Sequence, residues 1–130
     1  MKNVKPYLIF AGNCEEALNF YAESLGGEIA MLQTFADAPF DVPEEAEGKV
    51  FNSLFQAGDI NFMASDDMPP YKTTVGTNFA MFVTFSDATE HESAYTKLSE
   101  GGNATMPLDG GFGMLTDKYG IQWMLALDKK

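Results

Sequence analysis

The chain has 130 residues, about one domain by size, and its 45% hydrophobic and 13% aromatic content is that of a protein with a packed core rather than of a disordered acidic tail. Nineteen Asp and Glu against eight Lys and Arg leave a net charge of −11, which repels a polyphosphate backbone and argues against a nucleic-acid partner. No apolar run approaches the length of a bilayer span, and the first residues lack the apolar stretch of a signal peptide, so no membrane partner and a cytoplasmic location are expected.

Residues 4–10 read as a short strand in which Pro6 removes a ladder donor. Asn13 is a natural N-cap, and Ala17, Leu18, Phe20, Tyr21 and Leu25 continue at helical spacing to Gly26-Gly27, predicting a helix over 14–25. Cys14 at its start is the only cysteine, so no intrachain disulfide forms, and it reads as a helix-start residue rather than a reactive thiol. A second strand is predicted over 28–35. The stretch 36–48, with Asp37, Asp41, Glu44, Glu45 and Glu47, reads as an acidic loop without a periodic core. A hairpin over 49–56 and 59–64 closes the first half, and 65–77 reads as a connector.

The pattern then restarts. Residues 78–85 alternate as a strand, Ser86 or Asp87 caps a helix running to about Ser99, and Gly101-Gly102 ends it as Gly26-Gly27 ends the first. Strands over 103–108, 112–116 and 121–127 follow, the last two joined by Asp117-Lys118-Tyr119-Gly120, a turn with its own Asp and Gly. Ile121-Gln122-Trp123-Met124 repeats the order of Ile60-Asn61-Phe62-Met63 at an offset of 61, while the two Gly-Gly pairs stand 75 apart. In the last strand Ile121, Trp123 and Leu125 fall on one face and Gln122, Met124 and Ala126 on the other. The expected fold class is α+β: tandem βαβββ units, 1–65 and 78–130 about the connector 66–77 in a single domain, forming two curved mixed sheets around a concave interior with helices outside.

Several segments carry a closer likeness. Residues 6–17 (Pro-Tyr-Leu-Ile-Phe-Ala-Gly-Asn-Cys-Glu-Glu-Ala), Phe20-Tyr21, residues 63–66 (Met-Ala-Ser-Asp), Met68-Pro69 and residues 112–124 resemble the PhnB-like branch of the glyoxalase/bleomycin-resistance/extradiol-dioxygenase superfamily, the vicinal oxygen chelate proteins. The resemblance implies the fold and a homodimer. It also implies a divalent metal in many members, held near the start of the first strand and on the last strand of each unit. Here those places map to Pro6 or Tyr7, Phe62 or Met63, about Asn78, and Met124, none of which replaces imidazole or carboxylate. PhnB-like proteins often carry a His on the third strand, where this chain has Asn52.

The only histidine, His91, sits between Glu90 and Glu92 and reads as a solvated helix position. The acidic runs, including Asp59, Asp66 and Asp67, read as loop acidity, since neither follows a calcium-loop pattern. The expected function is therefore binding of a small, partly apolar molecule in the concave cavity, without metal or other cofactor. Tyr7, Asn52 and Asn78 are the polar candidates, and Phe112, Trp123 and Met124 the apolar walls. Two alternatives stand beside it: a divergent metal-dependent lyase or dioxygenase of the same superfamily, and a drug-sequestering resistance protein.

Overall fold

Helix α1, Cys14–Leu25, forms where the apolar spacing places it: Cys14, Ala17, Leu18, Tyr21 and Leu25 make one buried face, and Gly26 at φ 70° returns its N–H to the Ala22 carbonyl. The computed structural model describes residues 2–128. The chain divides into two compact units between Thr74 and Val75.

In the first unit, β1 (Tyr7–Phe10), α1, β2 (Glu28–Thr34), β3 (Val50–Ala57) and β4 (Ile60–Asp66) follow in order. The sheet runs β1-β4-β3-β2, with β1 and β4 parallel and the other pairs antiparallel. Strand β1 starts three residues later than its sequence pattern, at Tyr7, although the Pro6 carbonyl still accepts the Met63 N–H at 3.0 Å. Tyr21 of α1 lies against Phe10, Phe55 and Phe62 at ring separations of 6.4, 6.4 and 6.1 Å, and Phe55 and Phe62 stack at 4.9 Å. Those side chains define the face of the sheet that α1 covers.

In the second unit, β5 (Met81–Phe85), α2 (Ala88–Ser99), β6 (Asn103–Asp109), β7 (Phe112–Thr116) and β8 (Gln122–Leu127) repeat the plan in the order β5-β8-β7-β6, again with one parallel pair, β5 with β8. Asp87 caps α2, its carboxylate accepting the Glu90 N–H at 2.8 Å. The architecture is α+β, with two mixed four-stranded sheets and a helix packed on each. Among the described residues, no helix is long and apolar enough to cross a membrane.

The structure departs from the sequence pattern at four places. Asn13 makes no side-chain cap bond; the start of α1 is closed instead by Asp66, whose Oδ1 accepts the Cys14 N–H at 2.8 Å while Oδ2 accepts the Val50 N–H at 2.9 Å. Asp66 is thus a buried junction between helix and strand, not loop acidity. His91 is buried rather than solvated: its Nε2 is 3.0 Å from the Leu125 carbonyl and its ring 5.4 Å from Phe85, because the inward face of α2 passes through it. The stretch after β2 is not coreless, since short turns at Phe35–Asp37 and Glu44–Ala46 fold it back so that Ala46 is buried and Phe51 meets Phe35 and Phe40 at 5.4 and 5.7 Å.

Candidate functional site

A strand alternates its side chains between two faces, so a sheet covered by a helix on one side keeps a second face for other work. In the first unit that second face carries a row set by register. Met31 pairs with Leu54, Leu54 with Met63, and Met63 with Tyr7, across β2, β3, β4 and β1. In the second unit Met106 pairs with Met114, Met114 with Met124, and Met124 with Phe82, across β6, β7, β8 and β5. Each row belongs to its own sheet.

Three of the four outer members remain open to solvent, at 46% for Tyr7, 60% for Phe82 and 45% for Met106, whereas Leu8, Phe10, Phe55 and Leu125 on the covered faces are 3% exposed or less. A polar pair sits on the first row's face. The Tyr7 hydroxyl donates to Asn52 Oδ1 at 3.2 Å, so two sequence-predicted site residues 45 positions apart are in contact. Gln33, the register partner of Asn52, flanks them on β2.

The other expected site residues divide. Phe112 and Met124 lie on the uncovered face of the second sheet, half-buried, with Phe112 opposite Ala126 and Met124 opposite Met114. Trp123 does not join them: it is fully buried on the α2 side, and its indole Nε1 donates to Asp117 Oδ2 at 2.8 Å. Neighbours in a strand cannot line one surface, so Trp123 is core and Met124 is face. Asn78 lies in an exposed bend before β5 rather than on that strand. The residue standing where Tyr7 stands is Phe82, each opposite the methionine of its unit's last strand. Sequence reasoning missed Phe82 although the 75-residue offset of the Gly-Gly pairs already pointed from position 7 to it.

Register pairs Tyr7 with Met63 in the first unit and Phe82 with Met124 in the second, on the first and last strands where the resemblance led to the expectation of metal ligands. A phenol, two thioethers and a phenyl ring do not suit zinc, iron, nickel or manganese, which take imidazole and carboxylate. Among the described residues no three His, Cys, Asp or Glu side chains are grouped to hold an ion. Cys14 is held as a thiol: burial, with the Asp66 carboxylate nearby, pushes it from 9.0 up to about 12, a hydrogen bond with Ser53 offsetting only part of the rise.

Two βαβββ units, each a mixed sheet closed by a parallel pair of its first and last strands, define a protein of the glyoxalase/bleomycin-resistance type within the vicinal oxygen chelate superfamily. More narrowly, the chain belongs to the PhnB-like family described as 3-demethylubiquinone-9 3-methyltransferase, whose model matches residues 2–126. Protein PA1353 from Pseudomonas aeruginosa has a solved structure similar to this chain at TM-score 0.88 and 31% identity, covering 100% of both chains. A Bacillus cereus PhnB protein, named for the same methyltransferase, is similar at TM-score 0.80 and 28% identity over 98% of this chain and 100% of its own. Protein YjdN of Escherichia coli strain K12 is 27% identical over 98% of this chain and 96% of its own length. At 11% identity the fosfomycin resistance protein FosX from Mesorhizobium loti shares the fold alone, at TM-score 0.68 over 98% of this chain and 92% of its own.

Proposed function

We propose that this protein binds a small, partly apolar molecule against the uncovered face of its sheets, without a divalent metal, and that it works as a homodimer. The observation that carries the reading is the first unit's face, where Tyr7, Met63 and Leu54 form an apolar row and the Tyr7 hydroxyl meets Asn52. An apolar floor with one oriented polar pair is how proteins hold small organic ligands. With the Tyr7 hydroxyl directed at Asn52 Oδ1, the Asn52 amide nitrogen and the phenol oxygen are the groups available to a ligand's oxygen and hydroxyl substituents. Phe112 and Met124 give the second unit a face of the same character. The dimer reading rests on the open edges of both sheets, β1 and β2 in one and β5 and β6 in the other, which natural proteins cover.

The names carried by the family and by the Bacillus cereus relative point to a demethylated ubiquinone, a flat oxygen-substituted ring, as the first probe. The test is thermal unfolding with a short-chain, water-soluble 3-demethylubiquinone and, separately, with nickel, zinc, iron(II) or manganese, alongside elemental analysis of the purified protein. The expected result is a rise in Tm with the quinone, reduced by Tyr7→Phe and Asn52→Ala, and no stoichiometric amount of those four metals. Stoichiometric zinc, iron, nickel or manganese would overturn the metal-free reading. Undiminished affinity in both variants would overturn the site.

A further inference from the structure

We propose that Met106, Met114 and Met124 form a binding site for one soft monovalent cation, Cu(I) or its analogue Ag(I), on the uncovered face of the second sheet. This proposal does not depend on the organic-ligand reading, because it rests on a different property of the same side chains. Directly opposed residues on neighbouring strands point to one face with β-carbons roughly 5 Å apart. Met106 opposes Met114 and Met114 opposes Met124, so three thioethers stand side by side on three adjacent strands. Each is unbranched with freely turning bonds, which lets the outer sulfurs lean toward the central one.

A bulge makes the alignment. Ala104 opposes Leu115, and an unbroken ladder would place Thr105 opposite Met114; the register shift after Ala104 puts Met106 there instead. None of the three fills the space beneath α2, since Met106 is 45% exposed and the other two are half-buried on the uncovered face. Thioether sulfur is a poor ligand for zinc, calcium or magnesium and a good one for Cu(I), so the donor set that fails the superfamily's usual metals selects a soft ion. Cys14, the only thiol, is fully buried in the other unit and does not compete in the folded chain.

The first sheet supplies an internal control. Its row carries the same bulge after Ile29 but reads Met31, Leu54, Met63, with the central sulfur replaced by carbon. Strands lie about 4.8 Å apart, so Met31 and Met63 sit roughly 10 Å from each other without a bridging thioether. The second row should hold the ion and the first should not.

The experiment is titration of Ag(I), which cannot change valence under these conditions, into protein isotope-labelled at the methionine methyl groups. The proposal expects the signals of Met106, Met114 and Met124 to move together and saturate at one ion per chain, while Met31 and Met63 stay still. Met114→Leu, which copies the first sheet's arrangement, should abolish saturation. Met106→Leu, at a half-exposed edge position that the fold tolerates, should weaken it many-fold. Absence of a saturable shift in the wild-type protein, an equal response from Met31 and Met63, or full-strength binding in either variant would overturn the site.

Discussion

Asp66 Oδ1 lies 2.8 Å from the backbone nitrogen of Cys14, so a carboxylate at the end of β4 closes the start of a helix 52 residues earlier in the chain. Its other oxygen holds the Val50 N–H, which ties β3, β4 and α1 at one buried point. Replacing Asp66 with Ala leaves two buried N–H groups without their acceptor. The expected loss is about 3 kcal/mol or more, read as a fall in Tm of roughly 10 °C. A variant that unfolds with the wild-type protein would show that water reaches both amides.

Cys14 gives the stability a dependence on pH at the alkaline end. Its thiol rises from 9.0 to about 12 in the folded chain, chiefly through burial and secondarily through Asp66. The unfolded chain therefore releases this proton first, and the contribution is complete below pH 9 and is lost as pH climbs from 9 toward 12. The slope is about 1.4 kcal/mol per pH unit. Denaturant titrations of wild type and Cys14→Ala between these limits should converge as pH rises; parallel curves would remove Cys14 as the cause. The same burial predicts that a disulfide reagent at pH 8 labels Cys14 at the rate of unfolding, not at the rate of a free thiol.

Asp117 organises the last hairpin by accepting the Tyr119 and Ile121 N–H groups at 2.8 and 3.1 Å and the Trp123 indole at 2.8 Å. Trp123→Phe removes the indole bond and part of a fully buried ring. The expected cost is about 2–4 kcal/mol, measured by chemical unfolding with circular dichroism, since the chain's single Trp would be gone. A cost below the energy of one charged hydrogen bond would mean that the ring, and not the bond, is what the fold uses.

The second glycine of each helix-ending pair, Gly27 and Gly102, is a contact, not a conformational need. A β-carbon at Gly27 would fall 2.6 Å from the Gln56 carbonyl and 2.7 Å from the Ala57 side chain, and one at Gly102 would strike the Thr116 carbonyl. The first glycines, at φ 70° and 76°, do the turning. Gly27→Ala and Gly102→Ala should each destabilise by about 1–3 kcal/mol or more through overpacking, checked by thermal unfolding. Equal tolerance of both would require the hairpins to shift.

Short-range chemistry was legible from the residues alone. The periodic apolar face of α1, the turn at Gly120, the cap of α2 at Asp87 and the order of strands within each unit all depend on neighbours a few positions away. Long-range partners were not. Asn13 looked like the cap of α1 because no local signal announces that Asp66 will arrive from 52 positions on. His91 looked solvated because Glu90 and Glu92 flank it, yet the helical turn, not the sequence neighbour, decides which residue faces Leu125. At the candidate site the contact between Tyr7 and Asn52 needed the sheet to exist, although both residues were named from the sequence. The separation of Trp123 from Met124 needed only the alternation rule, which had already placed them on opposite faces.

Tyr7 and Met63 are parallel partners 56 positions apart, while Ala57 and Ile60 meet across a two-residue turn. The cost of closing a loop grows with its length, so the β3–β4 hairpin can zip early and β1 must wait for the whole first unit to gather. The surface that bears Tyr7 and Asn52 is thus built from the most sequence-distant strand pairing of its unit, and contact order leads to the expectation that it is completed after the β3–β4 hairpin.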